Sequence, residues 1–303
     1  MAEALTRSLG VERESSFLRD NVPKVSVIIP CYNLGQYLNE AVDSVLSQTF
    51  RDFEIIIVND GSTDEYTNDL IGHYDRPKTK VLCTDNQGLS SARNNGINIA
   101  EGEYVCCLDA DDKYHPDFLK KTVDIMCRDG NKKVGFVTTW VQTFGERHFL
   151  WKPDHHNPIR LAIENTVHVA SLYRRECWER VGGYAANLAG GYEDWNFWIS
   201  IVAIGYTWDC VEDTLFYYRK RKRSMVSSSD IMRGQLFSTI VENNEGFYRQ
   251  HFKEILLEAT NNWVKADKGL NDIATAIDKV FPAGTFRRRS LMYLAKRLLP
   301  LLR

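Results

Sequence analysis

Asp109-Ala110-Asp111-Asp112 follows directly on the apolar run Tyr104-Val105-Cys106-Cys107-Leu108. Carboxylates at i and i+2 of an extended chain project to one side, so Asp109 and Asp111 can address one small cation. Carboxylate oxygens suit a hard divalent ion such as Mg2+ or Mn2+. Acid clusters are more often solvated turns. Here the apolar run predicts a buried strand, and ligands of α/β sheets gather at the carboxyl ends of strands.

Three further stretches carry chemically useful groups. In Asn59-Asp60-Gly61-Ser62-Thr63-Asp64, Gly61 permits a tight turn and Ser62, Thr63 or Asp64 can cap the next helix. Asp60 is left at a strand end, where it either shapes the turn or accepts a hydrogen bond from a nucleobase imide or a ribose hydroxyl. Asp85 to Gly96 follows another strand, and its glycine and serines open a helix whose amides can approach a phosphate. Arg93 lies about one turn in, suited either to solvent or to pairing with a carboxylate or a diphosphate. Gly190-Gly191-Tyr192-Glu193-Asp194-Trp195 opens an aromatic helix. Acids in a first turn are favoured by the helix dipole alone, yet a carboxylate there is also well sited as a general base. Trp195 can stack on a sugar face or fill the core.

The elements that must position these groups read as alternating strands and helices. Strands are predicted over 25–30, 53–58, 80–83 and 104–108, with helices over 37–48, 64–74, 89–100 and 116–128. Short β-branched runs alternating with helices imply a mostly parallel sheet covered on both faces. Beyond residue 133 the pattern changes to strands 134–141 and 147–151, a loop over 153–158, helices 174–181 and 193–204, and strands 207–211 and 215–219. From residue 231 onward helices are predicted, near 231–250, 252–266, 269–280 and 287–299, as a separate helical subdomain. This gives an N-terminal extension over 1–23, an α/β domain over 24–228 and a helical region over 229–303.

The 303 residues, 44% hydrophobic with a net charge of -2, describe an ordinary soluble chain and argue against general nucleic-acid binding. Seven cysteines with no C-x-x-C pair suggest neither a disulfide framework nor a zinc site, so a cytoplasmic location is expected. The first 21 residues lack the continuous apolar core of a signal peptide. No run reaches the roughly 20 apolar residues of a membrane span. Neither G-x-G-x-x-G nor G-x-x-x-x-G-K-[ST] occurs, which disfavours a dinucleotide fold or a P-loop. Residues 287–303 hold Arg287, Arg288, Arg289, Lys296, Arg297 and Arg303 among leucines, with no acid. Such a segment either lies on an anionic membrane surface or packs on its own subdomain.

Taken in order, Pro30-Cys31-Tyr32-Asn33, the Asn59 to Asp64 turn, Gly88 through Gly96, Asp109 to Asp112, Val181-Gly182-Gly183-Tyr184 and Glu193-Asp194 resemble family-2 glycosyltransferases with the GT-A fold, over about residues 24 to 224. The resemblance implies transfer of a sugar from a nucleotide-diphosphate donor, most simply a UDP-sugar, to a hydroxyl of a glycan or lipid-linked acceptor, with inversion. It further implies that Pro30, Tyr32, Asn33 and Asp60 line the nucleoside pocket. Asp85, Gly88, Arg93 and Ala110 would flank base and diphosphate, Asp109 would contact ribose or metal, and Asp111 would hold a Mn2+ or Mg2+ ion. Asp194 would be the base, with Glu193 its competitor or orienting partner. Many relatives carry Tyr-Arg-x-His-x-x-Ser after the last strand, the histidine completing the metal shell. Here Tyr218-Arg219-Lys220-Arg221-Lys222-Arg223-Ser224 puts Arg221 in its place, and arginine does not lose its proton to bind metal. Either the ion has fewer protein ligands, or Arg219, Arg221 and Ser224 take over part of its work on the diphosphate or acceptor. Absence of Gln-x-x-Arg-Trp favours single-sugar transfer. Loops 141–168 and 182–192 would set specificity. The rival readings are a nucleotidyltransferase, whose Gly-rich first loop is missing, and a non-catalytic nucleotide- or glycan-binding protein.

Overall fold

Every residue of β1 (Val25–Cys31) and β2 (Phe53–Asp60) is buried, as expected of central strands covered on both faces. The structure, a computed structural model, describes residues 22–128, 130–221 and 232–263. Between and after these strands run α1 (Gly35–Leu46), α2 (Glu65–Gly72), β3 (Thr79–Thr84), α3 (Leu89–Asn98), β4 (Tyr104–Cys107), β5 (Lys113–Tyr114) and α4 (Phe118–Met126). The second half comprises β6 (Val134–Gly145), β7 (Leu150–Trp151), α5 (Pro158–Leu161), β8 (Leu172–Arg174), α6 (Arg175–Val181), α7 (Glu193–Ala203) and β9 (Thr207–Lys220). Helices α8 (Arg233–Asn243), α9 (Glu245–Gln250) and α10 (Phe252–Trp263) follow.

The strands form one mixed sheet in the order β3-β2-β1-β4-β8-β6-β9-β5, with β7 on β6. Its long ladders, β1 with β2, β2 with β3 and β6 with β9, are parallel, and its antiparallel pairings span two residues each. Side chains alternate across the sheet. Val25, Val27 and Ile29 pack with Leu38, Ala41, Val42 and Val45 of α1, whereas Ile28, Ile56 and Val58 pack with Ala92 and Ile97 of α3. Helix α7 is apolar almost all round and shares the second of these cores with Leu236, Phe237, Ile240 and Val241 of α8 and Tyr248 of α9. Each large side chain so buried contributes about 1.5–3 kcal/mol relative to exposure.

Several expectations need correction. The strands expected at 207–211 and 215–219 are one strand. The β6–β9 register jumps from Thr139↔Val211 to Trp140↔Thr214, so Glu212 and Asp213 form a bulge whose charged residues look like a loop in sequence. Strand β6 runs to Gly145, and the strand expected over 147–151 shrinks to two residues. Strands β5 and β8 were not anticipated. The segment over 109–112 is a turn, closed by Asp112 N donating to Asp109 O at 2.9 Å, not extended chain. The N-terminal extension, Ser224 and the basic segment 287–303 lie outside the described residues. Among the described residues no helix is long and apolar enough to cross a membrane, and all seven cysteines are free.

Helix α3 lies tight on the sheet at Gly96, where an added Cβ would stand 2.5 Å from Ile28 Cγ2 and 2.9 Å from Val58 Cγ2. Intrinsic helix propensity favours alanine over glycine by up to about 1 kcal/mol, but both contacts are with stiff β-branched side chains. Gly96→Ala is therefore expected to destabilise by about 1–3 kcal/mol, seen as a lower urea midpoint at unchanged m-value. A raised midpoint would show that the helix can lift off the sheet.

Candidate active site

Strands β2, β1 and β4 are adjacent and parallel, so the segments after Asp60, Cys31 and Cys107 leave the sheet at one edge. They open on a cavity of about 920 Å3, which continues past α7 to β6 and β9. At its first end lie Pro30, Tyr32, Asn33, Asp60 and Gly88. Asn33 has φ 55°, a conformation asparagine tolerates. Its Oδ1 accepts from the amides of Thr63 and Asp64 at 2.7 and 3.1 Å, while its own amide donates to Ser62 Oγ at 3.0 Å. The loops after β1 and β2 are thereby stitched together. Asp60 is buried, and its two oxygens accept from the amides of Gln87 and Gly88 at 3.0 Å each. Asp60 thus clamps the loop that starts α3, where Gly88 has φ 86°, and Asp64 caps α2 through Thr67 N at 2.8 Å. Tyr32 stands 44% exposed, its ring available at the mouth. Asp85 is exposed and does not line the cavity, whereas its neighbour Asn86 does.

At the centre the Asp109 to Asp112 turn meets Arg93. Of the partners open to Arg93 in sequence, it takes carboxylates: it is fully buried, 2.8 Å from Asp109 Oδ1 and 2.5 Å from Glu193 Oε1. Burial opposes its charge, yet the two carboxylates raise its pKa well above the ordinary value. Its guanidinium also lies 5.5 Å from the Tyr184 ring centre. Asp111 pairs with Arg221 Nε at 2.7 Å. Arg219 donates its amide to Asp112 Oδ1 and its Nε to Asp111 O, both at 2.7 Å, and also pairs with Glu40. Strand β5 pairs with Phe216 and Tyr217 of β9, which pins the acid turn between β4 and β9.

Helix α7 brings Glu193 and Asp194 to the same cavity. Glu193 is committed to Arg93. Asp194 is half-buried and accepts from Asn165 Nδ2 at 3.3 Å and from Trp195 N at 2.7 Å. Burial, then the Glu193 charge, push its pKa up to about 7, with Arg93 opposing. Trp195 is not at the cavity. It is 1% exposed and donates Nε1 to Leu161 O at 2.6 Å, so it cannot stack on a ligand. Sequence reasoning missed Trp151, Asn165, His168 and Phe216, all of which line the cavity. Asn165 and His168 lie in a stretch without periodicity, Trp151 and Phe216 lie on β7 and β9, and the expectation that loop 141–168 shapes specificity was the only pointer to Trp151, Asn165 and His168.

The glycosyl transferase family 2 model matches residues 26–193, more than half of the chain and most of these walls, stopping short of Asp194 and the β9 residues. The chain belongs to glycosyl transferase family 2. An uncharacterized glycosyltransferase of Methanocaldococcus jannaschii is 28% identical over 76% of this chain and 82% of its own length. Another, from Rickettsia prowazekii, is 42% identical over 112 residues, but the chain spans only about a third of that relative. Among solved structures, S. aureus TarS in complex with UDP-GlcNAc superposes with a TM-score of 0.63 at 21% identity, over 85% of this chain and 81% of that one. A Pyrobaculum calidifontis mannosyltransferase in complex with GDP-Man and Mn2+ gives 0.58 at 21% identity, over 91% and 80%. The fold is that of the GT-A glycosyltransferases.

Asp109 and Asp111, which line the cavity, are oxygen donors of the kind a divalent ion takes. Asp111 has a raised pKa because it is buried and faces Asp109, with Arg221 opposing. Asp112 is pushed up by burial and by Asp111 and Asp109, and its Oδ2 is buried without a hydrogen-bond partner. Among the described residues no group of three or more His, Cys, Asp or Glu could hold a metal, so Asp109 and Asp111 would supply two oxygen donors and leave the other positions to ligand oxygens or water.

Removing one partner of a buried ion pair strands the other charges. Arg93→Met is accordingly expected to lower folding stability by about 3–5 kcal/mol, measured by chemical denaturation. A change within 1 kcal/mol would mean that Asp109 and Glu193 take up protons or find other partners at no cost.

Proposed function

We propose that this family-2 enzyme transfers a single sugar from a nucleotide-diphosphate donor, a UDP-sugar first among candidates, to a hydroxyl of a glycan or lipid-linked acceptor, with inversion at the anomeric carbon. The observation that carries this reading is Asp194, a half-buried carboxylate facing the same cavity as Asp60, Asp109 and Asp111, with its pKa raised to about 7. UDP-GlcNAc bound to TarS and GDP-Man bound to the mannosyltransferase support a nucleotide-sugar donor.

In this reading the loops of Pro30, Tyr32 and Asn33 and the Asp60-clamped loop hold the nucleoside. A divalent ion held by Asp109 and Asp111 would neutralise charge on the departing nucleoside diphosphate. Arg221 and Arg219, at the opposite side of the acid turn, add positive charge beside the same leaving group. Asp194 takes the proton of the acceptor hydroxyl as its oxygen attacks from the face opposite the leaving group. Asn165 orients that carboxylate, and Glu193, fixed by Arg93, raises its basicity. The composition of residues 287–303 supports a cytoplasmic enzyme docked at the inner face of the membrane, near a lipid-linked acceptor.

Asp194→Asn is expected to lower kcat by about 10²–10⁴-fold with donor affinity, measured by titration calorimetry, unchanged. Loss of donor binding instead would move Asp194 out of the base role. Because the base acts deprotonated and its folded pKa is raised, wild-type kcat/KM should rise with pH up to about 7 and level off above it. The same raised pKa lets the folded state keep a proton that the unfolded chain releases, so this carboxyl's stabilising effect fades as pH climbs from the ordinary carboxylate range through about 7. The asparagine variant should therefore melt no lower than wild type at pH 8. A thermal-shift series of UDP-, GDP- and dTDP-sugars with and without Mn2+ tests donor and ion together. Asp111→Ala should erase the Mn2+-dependent part of any shift, and a shift that survives would overturn that ligand assignment.

A further inference from the structure

One lobe of the cavity has no partner in the reading above. Beyond the acid turn, where the sheet passes from β4 through β8 to β6 and β9, the lining is Val141, Trp151, Asn165, His168, Val169 and Phe216. His168 is 4% exposed. Its Nε2 lies 3.3 Å from Thr139 N and 3.2 Å from Thr139 O, and its ring stacks on Phe216 at 4.8 Å. Trp151 meets it edge-on at 6.2 Å. Burial drops its pKa to about 3, so the ring is neutral and the lobe holds no formal charge. Its Nδ1 is buried and has no hydrogen-bond partner. A buried polar atom left unpaired costs free energy that a correctly presented ligand group recovers. A hydroxyl serves for either tautomer, since it both donates and accepts.

The β9 arginine and its neighbour that line the cavity are already engaged. Arg221 faces Asp111, and Arg219 is held by Glu40 and the acid turn. A carboxylate or phosphate carried into the lobe would lose its water without gaining a counter-charge. We propose that this lobe is the acceptor subsite and admits a neutral pyranose, one hydroxyl of which bonds His168 Nδ1 while the ring lies against the partly exposed Trp151. The proposal rests on Asp194 being the base, because Asn165 belongs both to this lobe and to the Asp194 carboxylate.

The test uses the full-length chain with the UDP- or GDP-sugar that it binds in titration. Acceptor probes are methyl glycosides of glucose, galactose, mannose and their N-acetylamino forms, each hexose paired with its methyl hexuronide. At least one neutral glycoside should be glycosylated, with its hexuronide about tenfold or more poorer in kcat/KM. His168→Phe, which keeps the ring stacking and removes both nitrogens, should raise acceptor KM about tenfold and leave kcat and donor Kd unchanged. Trp151→Ala, at the partly exposed rim, should raise acceptor KM likewise and serves if the histidine variant does not fold. Hexuronides preferred over their neutral partners, no neutral glycoside accepted, or an unchanged acceptor KM in a folded variant would each overturn the subsite. Failure of every nucleotide sugar to bind wild type would instead remove the transferase reading itself.

Discussion

The buried guanidinium of Arg93 holds the site in one piece. It reaches from α3 to Asp109 just after the next strand, β4, and to Glu193 at the start of α7, 100 residues further on than Arg93. Stripping a guanidinium of water is tolerable only when both carboxylates remain in contact with it. The arrangement therefore has little freedom, and it specifies how α7 approaches the sheet. Glu193 is consumed by that contact, which leaves the next residue, Asp194, turned to the cavity. Which of the two neighbouring acids can exchange a proton with a ligand follows from which one the arginine has captured.

The same economy of charge governs the acid turn. Arg219 and Arg221 approach it from β9 and its end, through the Asp111 carbonyl and carboxylate and the Asp112 side chain. Even so, Asp111 and Asp112 hold their protons more tightly than ordinary carboxyls. The centre of the cavity is thus crowded with ionisable groups, while the side chains around His168 carry no formal charge. One cavity has a centre rich in paired charges and an end lined by uncharged side chains.

Much of this was legible from residue order alone. Strands β1, β2 and β4 are continuous apolar runs because both faces are covered, and the helices between them show their buried stripes at helical spacing. Asp60, Asp109, Asp111, Glu193 and Asp194 follow or precede those elements directly, so their convergence could be read from the alternation. Strands β5 and β8 could not, since two or three residues become a strand only by pairing with a partner. The Glu212-Asp213 bulge interrupts β9 with charges that look like a loop. Whether Arg93 would meet carboxylate or phosphate, and Trp195 a sugar or the core, stayed open, because the sequence shows which groups are present but not the depth at which tertiary packing buries them. His168 and Asn165 sit in a segment with no period at all.

Asparagines behind α7 carry one more consequence. Asn196 on that helix accepts from the side chains of Asn243 and Asn244 at 3.1 and 3.0 Å, and Ser200 donates to Asn244 at 2.9 Å. Such amide-to-amide contacts within an apolar packing are worth keeping only as a complete set. Helices α8 and α9 are therefore a brace, not an appendage: local opening there would loosen the helix that presents Asp194 before it disturbed the central strands. Whatever attaches to or pulls on α8 or α9 has a mechanical route to Asp194.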